Sequence, residues 1–255
     1  RYDRFRDRII FPIHDQKGQV IGFGGRVINP EDTPKYYNSP ETPLFQKGHE
    51  LYGLFVARRA IRDAGRVLVV EGYMDVVALA QYGIEYAVAA LGTATTPFHI
   101  TKLMRQTDEI VFSFDGDNAG RNAAWRAAMN ALPVLTDGLN LRFLFLPKEH
   151  DPDSYVREFG REKFELAAKQ AMPLSQYIIE HLLKANPLNS QEDRVRFLNE
   201  AEPILRQITA PRSALLMRKK ISELAQVTEA EMQSLLKLPV HNNAPVSYTH
   251  LRAHE

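Results

Sequence analysis

Apolar and polar positions change rhythm several times along this chain, and each rhythm predicts its own kind of element. Near the start, IIFPIHD and QVIGFGGRVI read as two short strands joined by DQKG, a hairpin signal. NPEDTPKYYNSPETPLFQKG follows, with four prolines and no helical period. It predicts a long loop, and a long loop inside a compact domain is usually functional. ELYGLFVARRAIRDAG then predicts a helix. Leu51, Leu54, Phe55, Arg58 and Ile61 fall near one face, and Gly65 is placed to end it.

From residue 67 the pattern alternates. VLVV, YAVAAL, IVFSF and LRFLFL read as strands, and DVVALAQYG, TPFHITKLMRQ and AGRNAAWRAAMNAL as helices between them. Thr96 suits an N-cap with Pro97 at the first helical position. Short apolar strands alternating with helices predict an α/β fold with a parallel sheet covered on both faces. Beyond residue 150 the helical period dominates. SYVREFG and REKFELAAKQA come first, then MPLSQYIIEHLLKAN with Leu174, Ile178 and Leu182 in step. SQEDRVRFLNEAEPILRQI opens with Ser190 three residues before Asp193, a capping-box start. RSALLMRKKISELAQV and TEAEMQSLLKL complete a small bundle. HNNAPVSYTHLRAHE shows no period and predicts an unstructured or non-native tail. The division expected is 1–66, a basic α+β part; 67–150, the parallel sheet; 151–240, helical; and 241–255, the tail.

Composition adds bounds. Of 255 residues, 44% are apolar and 25% charged, ordinary values for a globular chain. No apolar run is long enough to span a membrane, no leader pattern opens the chain, and the start at Arg1 predicts a piece of something longer. There is no cysteine, which excludes a disulfide framework or a zinc ribbon and fits a reducing cytoplasm. The net charge of +1 is unevenly spread: residues 1–66 carry 12 Lys/Arg against 8 Asp/Glu, and residues 67–150 carry 6 against 9. A basic segment beside an acidic one suits a protein that grips a polyanion through metal ions.

The acidic residues sit where a parallel sheet places its ligands, beyond the carboxyl ends of the strands. VLVV runs into Glu71, with Asp75 opening the next helix. IVFSF ends in Asp115-Gly-Asp117, and LRFLFL leads to Asp151 and Asp153. Like charges gathered on one edge raise one another's pKa, and a hard cation such as Mg²⁺ relieves them. The alternative is structural: Asp75 and Asp117 lie at helix starts, where Asp caps backbone N–H groups, and turns favour Asp and Gly in any case.

Glu71 after an apolar strand, with DGD at 115–117 ending another, resembles the TOPRIM domain of topoisomerases, some nucleases and bacterial primases. The longer runs VVEGYMDVVALAQYG, ALGTA, FDGDNAGRNAAWRA and FLPKEHDPDSYVRE resemble the catalytic core of the bacterial replicative DNA primase family. So do FPIHDQKGQVIGFGGRV and TPKYYNSPETPLFQKGHELYGL; the resemblance is strong over residues 1–185 and looser beyond. It implies a TOPRIM-type sheet domain flanked by an N-terminal α+β subdomain and a C-terminal helical subdomain. It also implies a nucleotidyltransferase that makes short RNA primers from NTPs on a single-stranded DNA template. Glu71, Asp115 and Asp117 would hold catalytic Mg²⁺ or Mn²⁺, with Asp75, Asp151 and Asp153 in the same acidic site. Arg26, Lys35, Asn38 and Lys47 would bind nucleotide or DNA. The family also carries a zinc-binding domain, ruled out here for want of cysteine, and a C-terminal domain that meets the replicative helicase, also expected to lie outside this chain. Full-length partners would be that helicase and single-strand-binding protein, in the bacterial cytoplasm at the replisome, with no membrane contact.

Other residues point to chemistry less sharply. Gly92-Thr93 and Thr95-Thr96 could offer N–H groups to a phosphate or simply cap a helix. Arg121 could reach phosphate or pair on its own helix. Trp125 reads as core. His14, His49, His99 and His150 lack metal spacing and read as surface or loop residues, and Arg218-Lys219-Lys220 as a solvated face. The rival functions are another TOPRIM chemistry, such as a nuclease, and an inactive single-strand-binding module.

Overall fold

The structure, a computed structural model, describes residues 3–236; the stretch 241–255, read above as a tail, lies outside the described residues. The hairpin forms as predicted from β1 (Arg8–His14) and β2 (Val20–Val27). Its turn is closed by Asp15 Oδ1, which accepts from the Lys17 and Gln19 amides at 2.8 and 2.9 Å. The proline-rich stretch is not loop throughout. It supplies a third antiparallel strand, β3 (Tyr36–Asn38), with Tyr36 opposite Arg26 and Asn38 opposite Gly24. So short a strand cannot display a period of two, and the pattern conceals it.

Helix α1 (Leu54–Ala64) starts later than its apolar run, after Gly53, and Gly65 at φ 67° ends it as predicted. Leu54, Ala57 and Ile61 make its buried stripe, while Phe55 remains 40% exposed. The main sheet has the order β5-β4-β6-β7-β8. In it β4 (Val67–Val70), β5 (Ala87–Ala89), β6 (Glu109–Phe114) and β7 (Asn140–Phe145) are parallel. The antiparallel edge strand β8 (Met172–Pro173) is too short to read from sequence. Every residue of β4 is buried, as a strand covered on both faces requires. The connecting helices are α2 (Tyr73–Gln81), α3 (Pro97–Met104) and α4 (Asn118–Ala131). Because the strands are parallel, all the loops that follow them open on one edge.

Helix α5 (Pro152–Lys169) joins the two helices predicted after residue 150; Gly160, at φ 79° and ψ 171°, breaks the helical path between them. Then come α6 (Leu174–Ala185), α7 (Gln191–Gln207), α8 (Pro211–Ala225) and α9 (Glu229–Leu236). The Ser190–Asp193 capping box opens α7 as predicted. One hydrophobic cluster runs from Leu51 to Met232, so sheet and bundle share a core. A smaller cluster of Phe11, Ile13, Phe45, Tyr73 and Leu91 seats the antiparallel sheet on the parallel one. Two side chains depart from their reading. Arg218 is 9% exposed, packed into the bundle rather than solvated, whereas Lys219 and Lys220 are exposed. Trp125 is half-buried, packed on the core and stacked on the His181 ring at 3.6 Å.

Candidate active site

Three loops on the carboxyl edge of the sheet bring the predicted acids together. Glu71 follows β4 directly, and Asp75, in the first turn of α2, reaches back so that the Gly72 amide donates to it at 3.0 Å. After β6, Asp117 caps α4 by accepting from the Gly120 amide at 2.7 Å. After β7, Asp151 caps α5 by accepting from the Ser154 amide at 2.7 Å, and Asp153 is ion-paired with Arg157 one turn on. The glycines of this motif allow the approach. A Cβ at Gly116 would stand 2.5 Å from Pro147 O, and one at Gly120 would stand 2.2 Å from Asp115 O. The Asp-Gly-Asp turn therefore lies directly against the chain leaving β7.

The structural alternative thus holds for part of the set: Asp75, Asp117 and Asp151 satisfy helix N-termini, and an arginine neutralises Asp153. Two acids remain. Among the described residues Glu71 accepts only the Asp115 amide, at 3.3 Å, and no donor reaches the Asp115 carboxylate. Burial, then Glu71, Asp151 and Asp117, push Asp115 up to about 6. Burial pushes Asp75 up to about 7, with Asp151, Asp115 and Asp153 adding to it against the pull of the Gly72 amide. Glu71 is also raised, by burial first, against the pull of the Asp115 amide, with Asp117 adding to the rise and Arg126 opposing it. Carboxylates from all three loops therefore feel one another, and the basic side chains nearby do not cancel them.

Hard, uncompensated oxygen donors are what Mg²⁺ and Mn²⁺ take, and the donor chemistry here fits. The geometry adds a qualification to the sequence reading: among the described residues no three acidic or imidazole groups stand close enough to enclose an ion. An ion that keeps several of its waters needs no enclosure. A cleft of about 330 Å³ opens beside Glu71, walled by Gly92, Thr93, Ala94, Thr95 and Arg126. Thr96 is indeed the N-cap of α3, accepting from the His99 amide at 3.2 Å.

The predicted basic residues divide into two groups. Arg26 on β2 and Lys35 before β3 both lie over the Tyr36 ring, at 5.9 and 5.8 Å. Tyr36, 38% exposed, feels Arg26 on one side and Asp75, Asp151 and Asp115 on the other, so the basic strand borders the acidic edge. Lys47 is half-buried, and its ammonium pairs with no acid among the described residues. Asn38 is anchored to the sheet domain by its side chain. Its Oδ1 accepts from the Tyr73 hydroxyl, and its Nδ2 donates to Leu91 O at 3.0 Å. Both ends of the amide are engaged in holding β3 to the sheet domain.

Sequence reasoning missed Tyr73 and misread His99 here, while Tyr36 lies in the loop it read as functional. Tyr73 stands between Glu71 and Asp75 in EGYMD, a position that marks it in hindsight; it is buried and stacked on Phe11. His99 is not a surface residue but fully buried in α3. Only its place three residues after an N-cap threonine signals that.

Comparison with known proteins agrees with the geometry. Residues 1–58 match the family described as "DNA primase catalytic core, N-terminal domain", and residues 68–156 match "Toprim-like". Residues 175–230 match "DnaB-helicase binding domain of primase", which corrects the view that nothing in this chain corresponds to a helicase-meeting part. A DNA primase of Neisseria meningitidis serogroup A is 58% identical over 236 residues, covering 92% of this chain and 40% of its own. The chain therefore spans about two-fifths of that relative's length. A solved structure titled "Structure of the DnaG catalytic core" is 50% identical with a TM-score of 0.86, covering 90% of this chain and 74% of that one. "Structure of the DnaG primase catalytic domain bound to ssDNA" is 51% identical with a TM-score of 0.81, covering 87% and 71%.

Proposed function

Because the chain belongs to the DnaG primase catalytic-core family, we propose that it carries the polymerase site of a bacterial DNA primase, joining ribonucleotides into short primers on single-stranded DNA. The observation that carries this reading is the placement of Glu71, Asp75 and Asp115, from the loops after two parallel strands, on one sheet edge, bordered by Arg26 and Lys35 across Tyr36. Glu71, Asp115 and Asp117 hold Mg²⁺ or Mn²⁺, with Asp75, Asp151 and Asp153 keeping the edge negative around them. Such an ion, when bound at these residues, would supply Lewis-acid activation of a primer hydroxyl and charge neutralisation for a triphosphate. Glu71, facing the cleft, acts either as one of those ligands or as a base that helps deprotonate the hydroxyl. Arg26, Lys35 and Lys47 bind phosphates of template or nucleotide, and Asn38 acts from behind them by fixing β3. Residues 175–230 supply the contact to the replicative helicase. The whole protein works in the bacterial cytoplasm at the replication fork, with single-strand-binding protein beside it.

A template-dependent ribonucleotide incorporation assay with Mg²⁺ or Mn²⁺ tests this. Short RNA products that vanish with chelator, and with Glu71→Gln in a chain of unchanged circular dichroism, are expected. Cleaved DNA in place of primers would identify a TOPRIM nuclease, and near-normal synthesis by Glu71→Gln would remove Glu71 from the chemistry.

A further inference from the structure

One face of α3 grips the segment that carries Lys47. Thr96, His99 and Lys102 recur at three-residue intervals and so stand above one another. Thr96 Oγ1 donates to Gly48 O at 2.6 Å, His99 Nε2 lies 3.0 Å from Lys47 O, and Lys102 Nζ lies 2.7 Å from Glu50 Oε2.

His99 is the buried middle grip. A backbone carbonyl only accepts, so Nε2 carries the proton toward Lys47 O. A backbone amide only donates, so Nδ1, 3.2 Å from the Thr96 N, is the acceptor. One neutral tautomer satisfies both. The His99 amide in turn donates to Thr96 Oγ1 at 3.2 Å, closing a capping box in which an imidazole stands where Glu or Gln is usual. Burial lowers the ring pKa to about 4 against the pull of the Lys47 carbonyl, so the ring stays neutral at physiological pH. The cap requires only the acceptor at Nδ1. The second nitrogen is surplus to it, and its N–H is directed at the backbone of a cation.

We infer that His99 is a positioning residue for Lys47, fixing through its Nε2–H the backbone from which that ammonium reaches phosphate. The inference rests on the reading of Lys47 as a phosphate contact. It assigns α3 a role beyond covering the sheet: its first two turns set where the basic segment stands relative to the acidic edge.

Glutamine and glutamate separate this role from capping. Either can accept from the Thr96 amide, but only Gln also offers an N–H to Lys47 O. The experiment measures binding of a fluorescent oligothymidylate across a salt titration, with a thermal melt for each protein. The proteins are the unchanged chain, His99→Gln, His99→Glu, Lys47→Ala and the double variant His99→Glu/Lys47→Ala. His99→Gln should bind within about twofold of the unchanged chain. His99→Glu and Lys47→Ala should each weaken binding about fivefold and flatten its salt dependence, and the double variant should bind no worse than Lys47→Ala alone. If His99→Glu does not melt cooperatively, His99→Leu, which fills the volume without a donor, takes its place. Full binding by the folded donorless variant, or an equal loss when Lys47 is already absent, overturns the inference. Unchanged binding by Lys47→Ala alone overturns the reading of Lys47, and the inference with it.

Discussion

Asp75 serves two demands at once, and the pH dependence of stability should show it. Its carboxylate caps the start of α2, yet burial and the acids of the other two loops push it up to about 7, above the 3.8 of an unperturbed Asp. The folded state therefore binds more protons than the unfolded state between those values. The stability linked to that proton is fully present below about pH 4 and is lost as pH rises through 7. His99 works in the opposite sense: its ring is held neutral down to about 4, so stability falls as pH drops below 6.5. The two overlap, so the bulk curve of the unchanged protein reports neither. The difference between the unchanged chain and Asp75→Asn isolates the first. In chelator, Asp75→Asn should gain on the unchanged chain by about 1 kcal/mol as pH climbs from 5 to 8, and Mg²⁺ should shrink that gain. Urea midpoints at the two pH values measure it, and a difference that does not change with pH would show Asp75 to be an ordinary capping residue.

At the scale of elements, the turn after β6 depends on close backbone approach more than on any side chain. Gly120→Ala places a Cβ 2.2 Å from Asp115 O, so either α4 or the Asp115 turn must move. A loss of about 2–3 kcal/mol is expected, together with loss of the proposed metal-dependent synthesis, because Asp115 and Asp117 ride on that turn. A thermal melt and the incorporation assay check both, and wild-type values in either would remove the packing argument. The same elements show what sequence reveals. The parallel strands are legible because strands buried on both faces are predominantly apolar runs: β4 is VLVV, and β6 is apolar but for Glu109 and Ser113. The caps at Thr96 and Ser190 are legible because few residue types satisfy a helix N-terminus. The acidic edge follows from topology once the strands are read as parallel. Strands β3 and β8 are not legible, because β3 is three half-exposed residues inside a proline-rich polar stretch and β8 is only two residues long. The engagement of Asn38 and the burial of His99 and Arg218 depend on long-range partners, Tyr73, Lys47 and the bundle core, which local pattern cannot supply.

For the whole molecule the question is whether the helical part is a separate unit. The core that runs from the sheet into the bundle argues that it is not. So do the joints across the boundary: Thr209 Oγ1 donates to Leu135 O at 2.8 Å, and Asp137 accepts from the Arg212 and Ser213 amides at 3.1 Å, capping α8 from the sheet side. The chain carries one tryptophan, and Trp125 on α4 stacks on His181 and meets Tyr177 edge-on, both residues of α6. Its fluorescence therefore reports the joint between sheet and bundle, while far-UV circular dichroism reports helix throughout. We expect the two signals to unfold together in urea, and Asp137→Ala to lower the shared midpoint by about 1–2 kcal/mol, the cost of a lost cap that also bridges the two parts. A tryptophan transition that precedes loss of helix would mean that the bundle swings free of the sheet before it melts. Residues 175–230 could then meet a helicase without disturbing the acidic edge. A single transition means that a load placed on the bundle by a partner is felt across the sheet that carries Glu71 and Asp115.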